Sequence, residues 1–224
     1  MKKPIVFVLT MFLSLGLVGV AGANLITNGD FGTGDLTGWN TSGDVRVANA
    51  GPLAAAQGMD GYYALLGLRT SDGISRLSQE FDVTGLTQLQ ISFDWAFDYW
   101  DNSRSAEDTF ISFVRQDGTP ARRITLLDLE TNGTFWHPEL NLAYGTYSDI
   151  IDISDYVTDD AKIVFKLVEE SDWCWLSGTA SVAGIDNVFV GAAPVPEPAT
   201  MLLFGSGLVG LAGFKRKKFR KKQS

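Results

Sequence analysis

Two stretches of this 224-residue chain combine residue types suited to holding a polar ligand. The first is Asp98-Tyr99-Trp100-Asp101-Asn102-Ser103-Arg104-Ser105-Ala106-Glu107-Asp108, a polar run with two large aromatics. The second is Trp173-Cys174-Trp175, directly after Glu169-Glu170-Ser171-Asp172. Aromatic faces stack on the apolar C–H surfaces of sugar rings, while carboxylates and amides bind hydroxyls. Tyr99, Trp100, Asp101, Trp173 and Trp175 are therefore the candidate glycan ligands, and closing the ends of a core is the other use of the same rings. In an extended segment Trp173 and Trp175 share one side.

Catalytic chemistry has less to stand on. The one histidine, His137, lies in Phe135-Trp136-His137-Pro138-Glu139, where Pro138 disfavours a central strand and points to a loop. There is no Gly-x-Ser-x-Gly elbow and no histidine pair of the metalloprotease kind. The single Cys174 excludes an internal disulfide framework and a cysteine zinc site. With 26 Asp and Glu, a carboxylate-dependent glycoside hydrolase is the alternative reading, yet no acidic pair stands out by spacing. The expectation is a protein that is not an enzyme, with no catalytic residues.

These candidates must be held by strands. Leu89, Ile91, Phe93, Trp95 and Phe97 alternate with Gln90, Ser92 and Asp94, the period of a half-buried strand. Leu77, Gln79, Phe81 and Val83 form a second such face. Further strands are expected at Tyr62–Leu68, Thr109–Arg115, Arg123–Leu129, Ile150–Ile153, Ile163–Val168 and Gly184–Val190, with Asp117-Gly118 as a tight turn. No segment of the body has a sustained 3.6-residue period with caps. The pattern predicts an all-β, two-sheet jelly-roll sandwich of about eight strands over residues 24–191, flanked by an N-terminal signal helix and a C-terminal hydrophobic helix.

Both ends carry addressing features. Residues 1–23 begin Met1-Lys2-Lys3-Pro4, continue uncharged from Ile5 to Val20 and close on Ala21-Gly22-Ala23, the layout of a secretory signal peptide. Signal peptidase is expected to cut between Ala23 and Asn24. Residues 192–199 are a Pro-rich link, 200–214 a short apolar helix and 215–224 a basic tail expected on the cytoplasmic side. Fifteen residues at 1.5 Å each reach about 22 Å, short of the roughly 30 Å hydrocarbon core, so the anchor is marginal. Outside the exported part lie 9 of the 18 Lys and Arg and none of the 26 Asp and Glu, so that part carries −17 against −8 for the whole chain. Such a charge repels nucleic acid, and no nucleic-acid partner is expected.

Val195-Pro196-Glu197-Pro198, the apolar helix and the basic tail, together residues 194–218, closely resemble the PEP-CTERM sorting signal of Gram-negative bacteria. The resemblance implies recognition of Pro196-Glu197-Pro198 by an exosortase, transient residence in the inner membrane and delivery to the cell surface or extracellular matrix.

The body resembles galactose-binding-like jelly rolls, a group that includes carbohydrate-binding modules. The likeness lies in Asn24-Leu25-Ile26-Thr27-Asn28-Gly29-Asp30-Phe31, in Gly34-Asp35-Leu36-Thr37-Gly38-Trp39 and in the closing Gly184-Ile185-Asp186-Asn187-Val188-Phe189-Val190. It implies weak binding of an extracellular polysaccharide or a structural role, and a calcium ion where first and last strands meet, with Asp186 as the closing ligand, Asp30 or nearby carbonyls at the opening end and Asp60 contributing from the loop between. The other use of Asp186 and Asn187 is to hold the strand ends by hydrogen bonds to backbone groups. Where the group usually has Glu after the Phe, this chain has Gly32.

Overall fold

The computed structural model describes residues 22–51, 53–67, 73–99, 108–117, 121–130, 141–169, 181–194 and 206–207. Within it Ala23–Ala193 is one compact unit with its own core.

Ten strands build two antiparallel sheets. They are β1 (Asn40–Ser42), β2 (Val45–Ala48), β3 (Tyr63–Leu66), β4 (Gly73–Asp82), β5 (Gln88–Tyr99), β6 (Thr109–Gln116), β7 (Arg122–Glu130), β8 (Asn141–Asp152), β9 (Asp160–Glu169) and β10 (Val182–Ala192). One sheet has the order β1-β4-β9-β6-β7 and the other β2-β3-β10-β5-β8. From β3 onward the chain changes sheet at each connection except the β6–β7 hairpin. That order is a jelly roll, the fold expected from the strand pattern. Among the described residues of the body there is no helix.

The eight expected strands are present, and two more precede them. Asn40-Thr41-Ser42 is fully exposed and has no apolar residue, so no alternation announces it; it becomes a strand by pairing with Ser78, Leu77 and Arg76 of β4. Val45–Ala48 is recruited in the same way by β3. Strand β8 runs nine residues further toward the N-terminus than Ile150, along all of β5, because its register partners Phe93 and Trp95 accept Tyr147 and Gly145.

The core lies between the sheets. Leu89, Ile91, Phe93 and Phe97 of β5 face Leu77 and Phe81 of β4, Phe110 of β6 and Phe165 of β9. Phe93 meets Phe165 edge to face at 5.0 Å and 80°, and Phe97 lies 5.9 Å from Phe110. Such aromatic pairs add about 1 kcal/mol each beyond their buried area. A second apolar cluster seals the outer face of the β3-β10-β5 region. There Leu53, Ala56 and Met59, from the segment between β2 and β3, cover Tyr63, Leu65, Ala96 and Val182. Gly184 makes this possible, since a Cβ there would stand 2.9 Å from Leu53 Cδ1 and 3.0 Å from Met59 Sδ.

Candidate functional site

The opening and closing sequence motifs meet. Leu25 N donates to Val190 O at 2.7 Å and Val188 N to Gly29 O at 2.8 Å, so residues 25–29 run along β10. The Asn24 side chain ties the same seam, its Nδ2 donating to Val188 O while its Oδ1 accepts from Val190 N and Ile26 N. Phe31 and Trp39 stack at 5.5 Å, both buried, and Trp39 Nε1 donates to Asn28 O. The aromatic residues of the opening motif are thus core residues.

Strand β10 bulges where the motifs meet. Its register with β5 shifts between Asp186 and Phe189, and Asn187 takes a left-handed φ of 51°. Asn is among the few non-glycine residues that tolerate this region. Asp186 stands directly opposite Asp94 of β5, on the outer face of the sheet, and is only 2% exposed. Asn187 N donates to Asp186 Oδ1 at 2.7 Å, and Asn187 Nδ2 to Asp94 Oδ2 at 2.9 Å. Thr146 Oγ1 of β8 donates to the other Asp94 oxygen.

Burial pushes the Asp186 carboxyl up to about 7; the hydrogen bond from Asn187 opposes this, and the charges of Asp94, Asp30 and Asp60 add to it. The three carboxylates singled out from the sequence therefore share one electrostatic neighbourhood, and Asp94 completes it. Asp94 was not singled out, because the alternation of β5 marks it only as a polar, outward residue. Asp30 and Asp60 are exposed, and Asp30 Oδ1 accepts from Gly32 N. Among the described residues no three His, Cys, Asp or Glu side chains form a group that could hold a metal ion.

The other sheet mixes cations and carboxylates on its strands. Lys162 of β9 bridges Glu80 at 2.8 Å and Asp117 at 3.1 Å, and Asp117 also pairs with Arg115. Two rows further along the same face, Lys166 stands opposite Arg76 of β4 and Ile111 of β6. Its ammonium is held below the usual lysine range by burial and by the charges of Arg76 and Arg123. The Arg123 guanidinium lies over the Phe113 ring, 4.1 Å from its centroid. Sequence alternation puts each of these cations on a polar face, but only register brings them together.

The remaining sequence-derived sites lie outside the described residues. These are Trp100, Asp101, Trp173 and Trp175 together with Ala21, Val195, Pro196, Glu197, Pro198, His137 and Cys174; of Tyr99 only the backbone is described. The expected 200–214 helix is described only at 206–207, which are helical, and among the described residues no helix is long and apolar enough to cross a membrane.

Comparison with known proteins bears on both parts of the chain. Residues 194–217 match the model of the PEP-CTERM protein-sorting motif. No curated protein matches the chain. Among solved structures the chain is similar to TmCBM61 in complex with beta-1,4-galactotriose, at 21% identity over 76% of this chain and 99% of that one, with a TM-score of 0.49. It is also similar to a family 16 carbohydrate-binding module (15% identity, 75% of this chain and 99% of that one, TM-score 0.42). A third is the C-terminal family 22 carbohydrate-binding module of Clostridium thermocellum Xyn10B (15% identity, 76% and 98%, TM-score 0.42). The chain thus combines a jelly-roll β-sandwich body with a PEP-CTERM sorting motif, the signal of a protein exported and sorted to the cell surface by exosortase.

Proposed function

We propose that this protein is an exported, non-enzymatic surface or extracellular-matrix component whose jelly-roll body binds glycan weakly. In this reading, signal peptidase removes residues 1–23 and the C-terminal segment pauses the folded body outside the inner membrane. Exosortase then acts at Pro196-Glu197-Pro198. The match at 194–217 is the observation that carries the sorting part. The glycan part is supported by the joined opening and closing motifs, whose backbone bonds run from Leu25 to Val190 and from Val188 to Gly29.

Two experiments test these parts separately. Expression in Gram-negative hosts with and without an exosortase gene should give a processed C-terminus only in the first; identical products in both end the sorting proposal. A glycan array probed with the compact unit 23–193 should show selective signals, whereas a uniformly blank array leaves a purely structural matrix role. The calcium expectation is tested by calorimetry on the native unit and Asp186→Ala. Heat in the native protein that vanishes in the variant supports it; equal or absent heats remove it.

A further inference from the structure

We infer that β8 is a self-association edge: two copies of this chain pair β8 with β8, antiparallel about Tyr147, and so join two five-stranded sheets into one continuous sheet. The inference goes beyond the glycan reading and does not depend on it.

The four sheet edges give the first argument. An edge strand offers its outward N–H and C=O groups to any chain that can pair with them, and folds blunt such edges by shortness or charge. Strand β1 has three residues and β2 has four. Strand β7 has nine, among them the charged Arg122, Arg123, Asp128 and Glu130. Strand β8 has twelve, pairs with β5 along its whole length and holds no Lys, Arg or Pro. Its charges, Asp149 and Asp152, are confined to its last turn of sequence, next to Ile150 and Ile151. Among the described residues no strand pairs with its other side.

Hydrogen-bond phase gives the second argument. Ala193 N donates to Gln88 O and Ile153 N to Thr87 O. Even-numbered residues of β5 therefore point their backbone groups to β10 and odd-numbered ones to β8. The register pairs odd with odd, as in Leu89 with Ile151 and Phe93 with Tyr147. The even-numbered residues of β8, from Leu142 to Asp152, thus turn their N–H and C=O to the open edge. Ile150 N agrees, since it donates away from β5 to Asp149 Oδ1 at 2.8 Å.

Self-complementarity of the strand selects the occupant. A twofold axis normal to the sheet keeps each face continuous and sets even-numbered residues opposite even-numbered ones. Two such registers overlap the strands most fully. The one about Thr146 sets Tyr144 opposite Ser148 and Ile150 opposite Leu142. The one about Tyr147 sets Tyr144 opposite Ile150 and Thr146 opposite Ser148, each pair made twice. Tyr144 and Ile150 are each 48% exposed, and Thr146 and Ser148 are exposed beside them. Aromatic against β-branched and Thr against Ser are pairings that stabilise antiparallel sheets. Charge agrees with this register: Asp149 falls opposite Gly145 and Asp152 opposite Leu142, so no carboxylate of one β8 meets one of the other. The seam is about 37 Å long and carries up to about twelve backbone hydrogen bonds. Its area is below that of a standard interface and both bodies are acidic, so the dimer is weak and concentration-dependent.

The test is analytical ultracentrifugation of the compact unit from about 1 µM to about 500 µM, at low and high salt. The inference predicts monomer at the dilute end, dimer at the concentrated end, and tighter association as salt screens the acidic bodies. Ile150→Lys and Ser148→Pro should each weaken association by at least about tenfold, while Thr125→Lys on the β7 edge leaves it unchanged. Ser148→Pro removes only an outward N–H, and Ile150→Lys changes only an exposed side chain should the proline disturb the fold. Register is read by cross-linking in a Cys174→Ser background. Thr146→Cys mixed with Ser148→Cys should oxidise to a disulfide-linked dimer faster than either variant alone. A monomer throughout the range, a dimer that Ile150→Lys leaves intact, or faster cross-linking of one variant with itself would each overturn the inference. Slow exchange of the even-numbered β8 amides in the dilute monomer would overturn it too, because a segment of the same chain would then cover the edge. A dimer with the predicted cross-link upholds it even where a glycan array stays blank.

Discussion

Asp186 of β10 and Asp94 of β5 form a direct cross-strand pair of two carboxylates, with Asn187 donating from its backbone to the first and from its side chain to the second. Two adjacent anions in a buried setting are relieved most simply by a proton on one of them. Asp186 is the one that keeps it, with a carboxyl raised to about 7.

Stability follows from that shift. The unfolded carboxyl titrates at 3.8 and the folded one at about 7, so between these values the folded state holds more proton. Stability from this group is full below pH 4 and lost as pH rises toward 7, on the order of 2–4 kcal/mol. Asp186→Asn should keep the acceptor for Asn187 N and flatten the slope between pH 4.5 and 7.5. Urea midpoints across that range check it, and a slope equal to the native one would refute the assignment. The window avoids the exposed Asp35, Asp82, Asp117 and Asp152, whose carboxyls sit below 3.8 and whose contributions fade only at lower pH.

Gln79 does the work of a strand partner. Its Oε1 accepts from Thr27 N at 2.6 Å and its Nε2 donates to Thr27 O at 2.9 Å, with the side chain 5% exposed on β4. Gln79→Leu should cost about 2–3 kcal/mol, because both backbone groups of Thr27 lose their partner. A lower urea midpoint with an unchanged m-value would show it; a loss below 0.5 kcal/mol would mean that water replaces the amide without penalty.

Asn24 closes the seam on β10 from the first residue of the expected mature chain. Asn24→Ala should lower stability by about 1–2 kcal/mol, and amide exchange of Val188 and Val190 should speed up ahead of the rest of β10. Uniform exchange along the strand would show that the tie is redundant.

Gly184→Ala should cost about 1–3 kcal/mol by forcing Leu53 and Met59 off the sheet. Pairing it with Met59→Ala should recover part of the loss, and strictly additive losses would place the strain elsewhere.

Legibility in the sequence tracked the range of the interaction. Alternation of Leu89 to Phe97 and of Leu77 to Val83 needs only the pleat of one strand, and both faces turn to the core as that alternation requires, with Trp95 half-buried against it. Strand β1 was silent, since Asn40-Thr41-Ser42 has no apolar period and exists only through β4. The candidate carboxylates Asp30, Asp60 and Asp186 were visible as residues, while Asp94 was one polar alternate among several. Its role depends on the register that sets it against Asp186.

By itself the sequence determined the sandwich, the charge of the exported part and the sorting motif at 194–217, because each is written in consecutive residues. Tertiary structure decided what shares a face: Lys166 beside Arg76, Asp186 beside Asp94, Gln79 on Thr27. Strand register converts positions far apart in the chain into neighbours about 5 Å apart, and a shift of one residue would turn every one of those side chains to the other face.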